Sequence, residues 1–375
     1  MLSGTMRSLR ISLLIATLAG LFAFLISCTD RARIAEPVQD PVAAELEHWS
    51  AFLQDKTRTG GFWEQVRRAN QPIVARAEED LKAGRRMLAL QRLVSVRANV
   101  SLMSYLSQRP ARQKKEMAGF EAEWARLGKT LRSDPGISAF EGVQPALVRA
   151  LGEASLPQAR EYYDASLDYG RNTSPEIGLV YLGTAQAQRE LTDFLKTFSG
   201  ISSRPAPPLR ALGPELDALE DEVLEAYRPP ASIDRHGDFV TTSATLKEAR
   251  ELDAAGLRYG ALLRYLRAAQ GFAQVRKPAP LDAATLAERL RGFDARLSAE
   301  GVDHSIGRLF LETAQSDLAA AAPGKLPGSA QAIASDVLPR YFAALEPARS
   351  RPPAPVAPAA PAPKLTVTLV RWPYT

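Results

Sequence analysis

The chain has 375 residues, 46% of them hydrophobic, with 47 Lys and Arg against 42 Asp and Glu and a single cysteine. Both charge signs are interspersed, and no basic block or basic–aromatic stripe occurs. That removes the electrostatic footprint nucleic-acid binding requires, while the length and apolar content allow one large core or two modest ones.

At the N-terminus, Arg7 and Arg10 precede an almost wholly apolar run, Ile11 to Ile26, and no acidic residue comes before Asp30. The small residue Ser27 stands directly before Cys28. A positive start, an apolar centre and a small-residue end read as a secretory signal peptide over 1–27. The competing reading is a membrane anchor, for which the run is short of the roughly 20 apolar residues a span needs. Leu25-Ile26-Ser27-Cys28 resembles the lipobox of bacterial lipoproteins. The resemblance implies a diacylglycerol on the Cys28 sulfur and cleavage before it. The mature chain would then be lipid-anchored in the cell envelope, a lipoprotein held to the membrane by Cys28. Because Thr29 rather than Asp follows the cysteine, the resemblance also points to the outer membrane, facing the periplasm. One acyl chain binds only marginally at ~0.8 kcal/mol per buried methylene, so two or three make attachment effectively permanent. Removing 1–27 takes away two arginines and lowers the formal charge from +5 to +3. With Cys28 acylated, no thiol remains for a disulfide, so stability must come from packing.

Residues 28–40 read as a polar tether, and the spacing beyond it is helical. Asp40 is the expected N-cap of a helix with Pro41 at its first position and Val42, Leu46, Trp49 and Leu53 on one face. A long helical tract follows from about 62 to 106, with breaks expected at Pro72 and Gly84. Met117, Phe120, Trp124, Leu127 and Leu131 form the stripe of an amphipathic helix. Two pieces are expected at 143–153 and 156–169, then a helix opened by Ser174, Pro175 and Glu176 and reaching about 198. The Pro/Ser-rich stretch 199–214 reads as a linker between helical domains 41–198 and 215–346. In the second, Leu216, Leu219, Val223 and Tyr227 share a face, 228–238 is a break, and helices are expected at 244–275, 282–299, 305–321 and 329–345.

The tail changes character. Residues 347–363 are a Pro/Ala-rich extended linker. In 364–375, Leu365, Val367 and Leu369 alternate with Thr366, Thr368, Val370 and Trp372, the period of a short β-strand. A lone strand either adds to the sheet edge of a partner, with Leu365, Val367, Leu369 and Trp372 as contact residues, or packs on its own domain or stays disordered. The fold class expected is therefore all-α with this tail attached.

Helix pairs of similar size prompt a search for repeats. Leu252, Ala255-Gly256, Tyr259, Ala268, Phe272 and Pro280 fall at the spacing of a tetratricopeptide unit, and the stretch resembles that family. It departs from the pattern in having Leu252 and Ala255 for the usual Trp and Leu, and Leu263-Arg264 where the turn has Gly. Partial matches occur around Gly84, Ala89 and Leu93, and around Ala159, Tyr163, Leu167, Leu182-Gly183 and Gln186. The units are not tandem. A tetratricopeptide-like α-solenoid of helical hairpins and an irregular helical bundle both stay open.

Catalytic and cofactor signatures are scarce. His48, His236 and His304 stand in different elements, and no zinc, P-loop, Rossmann or nucleophile-elbow motif occurs. No cofactor or metal is expected. Asp234, His236 and Asp238, in "DRHGD", are the best polar constellation and a candidate ligand loop, against a plain solvated surface. Trp49, Trp63, Trp124, Tyr162, Tyr163 and Phe194 read as core before binding cage. The expected function is a non-enzymatic envelope scaffold or adaptor that binds a protein partner through helical repeats. The alternative is a periplasmic ligand-binding or hydrolytic helical protein acting on envelope polymers.

Overall fold

The computed structural model describes residues 40–107, 116–133, 140, 142–143, 145–198, 201–230, 232–276, 279–299, 301–322 and 324–346. Among these the chain is all-α, with no strand. Cys28 and the 365–372 strand lie outside the described residues.

Helix α1 spans Pro41–Gln54, α2 Gly61–Lys82 and α3 Arg86–Ser107. Asp40 caps α1 as its sequence requires, accepting from the Val42 amide at 3.0 Å, and Val42, Leu46, Trp49 and Leu53 are its buried face. The break expected at Pro72 does not occur, because α2 runs through it. Pro72 and Arg68 are both exposed, so the carbonyl left without an intrahelical donor faces water. Gly84 does end the helix, at φ 76°, with the Arg85 amide donating to the Asp80 carbonyl at 2.7 Å. Only glycine takes that left-handed position at little cost.

Helix α4 spans Met117–Arg132, α5 Ala146–Asn172 and α6 Pro175–Lys196. The two pieces expected at 143–153 and 156–169 are one helix, which carries Pro157 inside it. Ser174 caps α6, accepting from the Ile177 amide at 3.3 Å. The α5–α6 hairpin closes tightly because a Cβ on Gly178 would meet the Gly170 Cα at 2.6 Å and the Phe120 ring at 2.7 Å. Phe120, Leu127 and Leu131 of α4 pack there with Ala159, Tyr163, Leu179 and Leu182 as a small second core. Each such side chain contributes ~1.5–3 kcal/mol by leaving water.

Helix α7 spans Gly213–Ala226, α8 His236–Ala254, α9 Arg258–Arg276, α10 Ala283–Ala299 and α11 Ser305–Ala320. The last, α12, joins Gly328–Ala332 and Leu338–Leu345 through a π segment, Ile333–Val337. The tetratricopeptide spacing places a turn at Leu263-Arg264, but α9 is unbroken there. The turn lies at Ala255–Leu257, with Gly256 at φ 78° and the Leu257 amide donating to the Leu252 carbonyl at 2.8 Å. Leu263 belongs to the buried core, and a turn at that point would bring peptide groups into an apolar seam.

Among the described residues the most extensive hairpins are α2–α3, α5–α6 and α8–α9. The α3–α6 and α5–α9 contacts join them in a row, and α11 packs across α3 and α5. The main core runs from Val42 to Ala344 without stopping at 199–214. The described part of that stretch, 201–214, is pinned rather than slack. The Asp303 amide donates to the Pro205 carbonyl at 2.8 Å, the Tyr259 hydroxyl to that of Pro207 at 2.8 Å, and Arg258 to that of Leu209 at 2.7 Å.

Distant carboxylates complete several helix starts. The Leu88 amide of α3 donates to Glu312 at 2.8 Å, the Ala146 amide of α5 to Asp303, and the Gly260 amide of α9 to Glu153 at 2.8 Å. Each satisfies an otherwise orphaned buried donor at a helix N-terminus, where a negative charge is also favoured. These bonds tie together parts of the chain more than 100 residues apart.

Candidate functional site

The helices leave a cleft of about 540 Å³ between α1, α2, α3, α4 and α6. One wall is aromatic. Spacing along α1 sets Trp49 and Phe52 edge to face at 5.2 Å, and the start of α2 brings Trp63 to Phe52 at 5.8 Å. The α1–α2 loop folds Arg58 over both rings, 4.0 Å from the Phe52 centroid and 4.9 Å from that of Trp63. Asp55 holds the guanidinium there, its Oδ2 accepting from Arg58 Nε at 3.0 Å. The Thr57 hydroxyl and amide, and then Arg58, keep the Asp55 carboxyl below the usual carboxylate range.

The opposite wall is polar and comes from α3, α4 and α6. Arg126 donates to Glu123 at 3.1 Å, and Tyr105 donates to the same carboxylate at 3.3 Å. Gln186 donates to Glu190 at 2.7 Å. Arg97 lies over Phe194, 5.2 Å from the ring centroid, and has no carboxylate within ion-pair distance among the described residues. Two buried atoms at the cleft, Trp49 Nε1 and Gln186 Oε1, also lack a hydrogen-bond partner among the described residues. The cleft therefore presents ring faces and, beside them, a cation with no carboxylate within ion-pair distance among the described residues. These are the parts that fix an anionic or polar group beside an apolar one.

The sequence treats Trp49 and Trp63 as core, and both are also cleft wall. Trp49 is buried to 3% exposure and is also among the residues that line the cleft. The helical period identifies Trp49 as inward-facing and cannot tell a core wall from a cleft wall. Trp124 and Tyr163 stack on each other at 5.0 Å in the second core. Arg58 and Arg97 carry no motif. Their roles arise only when α1, α2, α3 and α6 meet.

Asp234, His236 and Asp238 are not a loop. Asp234 lies in a short 3-10 turn, Ile233–Arg235, and His236 and Asp238 form the first turn of α8. All three are exposed. His236 Nδ1 pairs with the Tyr227 hydroxyl at 2.8 Å, and Asp238 accepts from Arg235 at 2.7 Å, so two of the three engage neighbours instead of a common centre. Among the described residues no group of three His, Cys, Asp or Glu is arranged to hold a metal ion. Among them, too, no helix is long and apolar enough to cross a membrane.

No family model, curated protein or solved structure matches the chain.

Proposed function

We propose that the protein is a non-enzymatic binding scaffold of the bacterial cell envelope, anchored by lipid on Cys28. Its helical hairpins, stacked as a tetratricopeptide-like array, hold a segment of a partner protein in the aromatic–arginine cleft. The observation that carries this reading is Arg97, a cation with no carboxylate partner among the described residues, facing the cleft beside an aromatic wall. An acidic residue next to an apolar or aromatic one on an extended partner segment complements both walls. The cleft hydroxyls of Ser101 and Ser104 have no hydrogen bond to a histidine or carboxylate among the described residues, which favours binding over acyl-transfer chemistry. A second reading, an envelope polymer as ligand, is supported by the ring faces, which suit a sugar.

Arg97→Glu reverses the charge and gives up only the guanidinium contact with the core ring of Phe194, a loss of ~0.5–1 kcal/mol. It is expected to lower recovery of the partner from detergent-solubilised membranes at least tenfold while thermal stability changes little. Recovery equal to wild type would remove the cleft from the account. Cys28→Ser is expected to move the chain, once its signal peptide 1–27 has been removed, from the membrane to the soluble fraction, and retention of that cleaved chain in membranes would contradict the lipid anchor.

A further inference from the structure

A second, smaller chamber of about 180 Å³ lies where α3, α5, α6 and α9 meet, lined in part by Gln91, Ser95, Gln188, Arg264 and Arg267. It is below the size of pockets that take drug-sized ligands. Two guanidinium groups one helical turn apart on α9 reach it. Arg264 is shared with Glu248, at 3.2 Å. Arg267 has no carboxylate within ion-pair distance among the described residues; it donates to Gln270 at 3.2 Å and lies 5.2 Å from the Phe310 centroid. Burial first, then the like charge of Arg264, pulls the Arg267 guanidinium down to about 10. An arginine held this way without a counter-charge is destabilising unless something anionic joins it. Apart from the Glu248 partner of Arg264, the polar groups beside the two cations are neutral: among the described residues the Gln91 Oε1 is buried without a partner, and Gln188 makes no hydrogen bond.

We infer that this chamber is a binding site for a small oxyanion, a phosphate or a carboxylate group, held by Arg267 and Arg264. A guanidinium fork matches the oxygens of either group, and the amide side chains complete the shell. The site is separate from the aromatic cleft and does not depend on the function proposed for it.

The test is thermal unfolding of the full chain in detergent with inorganic phosphate, with acetate, and with chloride at matched ionic strength. At ligand concentrations near 100 times Kd, the preferred oxyanion should raise Tm by about 4 °C over chloride. A larger rise in phosphate assigns the site to phosphate groups, and a larger rise in acetate to carboxylates. Arg267→Met should abolish that rise and, in chloride alone, leave Tm equal to or above wild type. Ser95→Leu, which keeps both arginines and fills the chamber, should also abolish it, and decides the matter if Arg267→Met does not fold. Equal Tm of the wild type in all three salts would overturn the inference. So would a rise that persists in Arg267→Met or Ser95→Leu, since general salt exclusion survives either change.

Discussion

Asp80→Ala is expected to destabilise the protein by about 3–5 kcal/mol, the loss that follows when one partner of a buried ion pair is removed. The Asp80 side chain is 2% exposed and accepts from Arg85 at 2.7 Å, from Arg92 at 2.5 Å and from Ser316 at 3.0 Å. It thus joins the end of α2, the start of α3 and the far helix α11 at a single carboxylate. Without it two guanidinium groups, 15% and 23% exposed, face each other beside an unpaired hydroxyl. Asp80→Asn keeps the shape and some hydrogen bonds, so its loss should be smaller. Urea unfolding followed by circular dichroism measures both. The exposed pair Lys82–Glu78, with side chains 74% and 48% exposed, is the internal control, and Glu78→Ala should shift stability by less than about 0.5 kcal/mol. A change that small for Asp80→Ala would mean that the α2–α3–α11 junction is held by apolar packing alone.

Glu312→Gln is expected to stabilise the protein above neutral pH and to have a much smaller effect, under about 1 kcal/mol, near pH 5. Burial, opposed by the amides at the start of α3 and aided by the charge of Asp80, pushes the Glu312 carboxyl from 4.5 up to about 7. Between those two values the folded protein holds a proton that the unfolded chain has released. Stability therefore falls as pH rises through the window, by roughly 3 kcal/mol in all, and the cost is complete above pH 7. Below pH 4.5 the group is neutral in both states and contributes no such cost. Glutamine keeps an acceptor for the Leu88 amide and cannot ionise, so the variant lacks this slope. Denaturant unfolding of both proteins at pH 5, 6.5 and 8 reads the difference directly. A variant less stable than wild type at pH 8 would mean that the charge at the α3 N-terminus outweighs its burial.

These two carboxylates mark where sequence reading stops. Asp40 and Ser174 announce their helices because a cap acts within three residues, and the faces of α1 and α4 follow from a 3.6-residue period. Glu312 and Leu88 are 224 residues apart, and no local pattern links them. Proline misleads in a definite way: Pro72 and Pro157 break an isolated helix, whereas tertiary packing keeps α2 and α5 continuous through them. Gly256 misleads differently. Its neighbours fit a tetratricopeptide spacing that places it inside a helix, yet a positive φ at the end of α8 is what that position requires. The cleft was half legible. Trp49 is recognisable as inward-facing, while its place in the cleft wall depends on how far α2, α3 and α6 stand from α1, a distance the sequence does not encode locally.

The binding role of the aromatic–arginine cleft is tested most directly by a photo-crosslinking amino acid at Ser101, inside the cleft, in cells carrying the full chain. A matched probe at Val240, which is 52% exposed and lies on α8 away from the cleft, gives the background. The account predicts one discrete protein adduct from Ser101, absent from Val240 and lost with Arg97→Glu. Adducts equal at both positions, or an adduct that persists in Arg97→Glu, would contradict it.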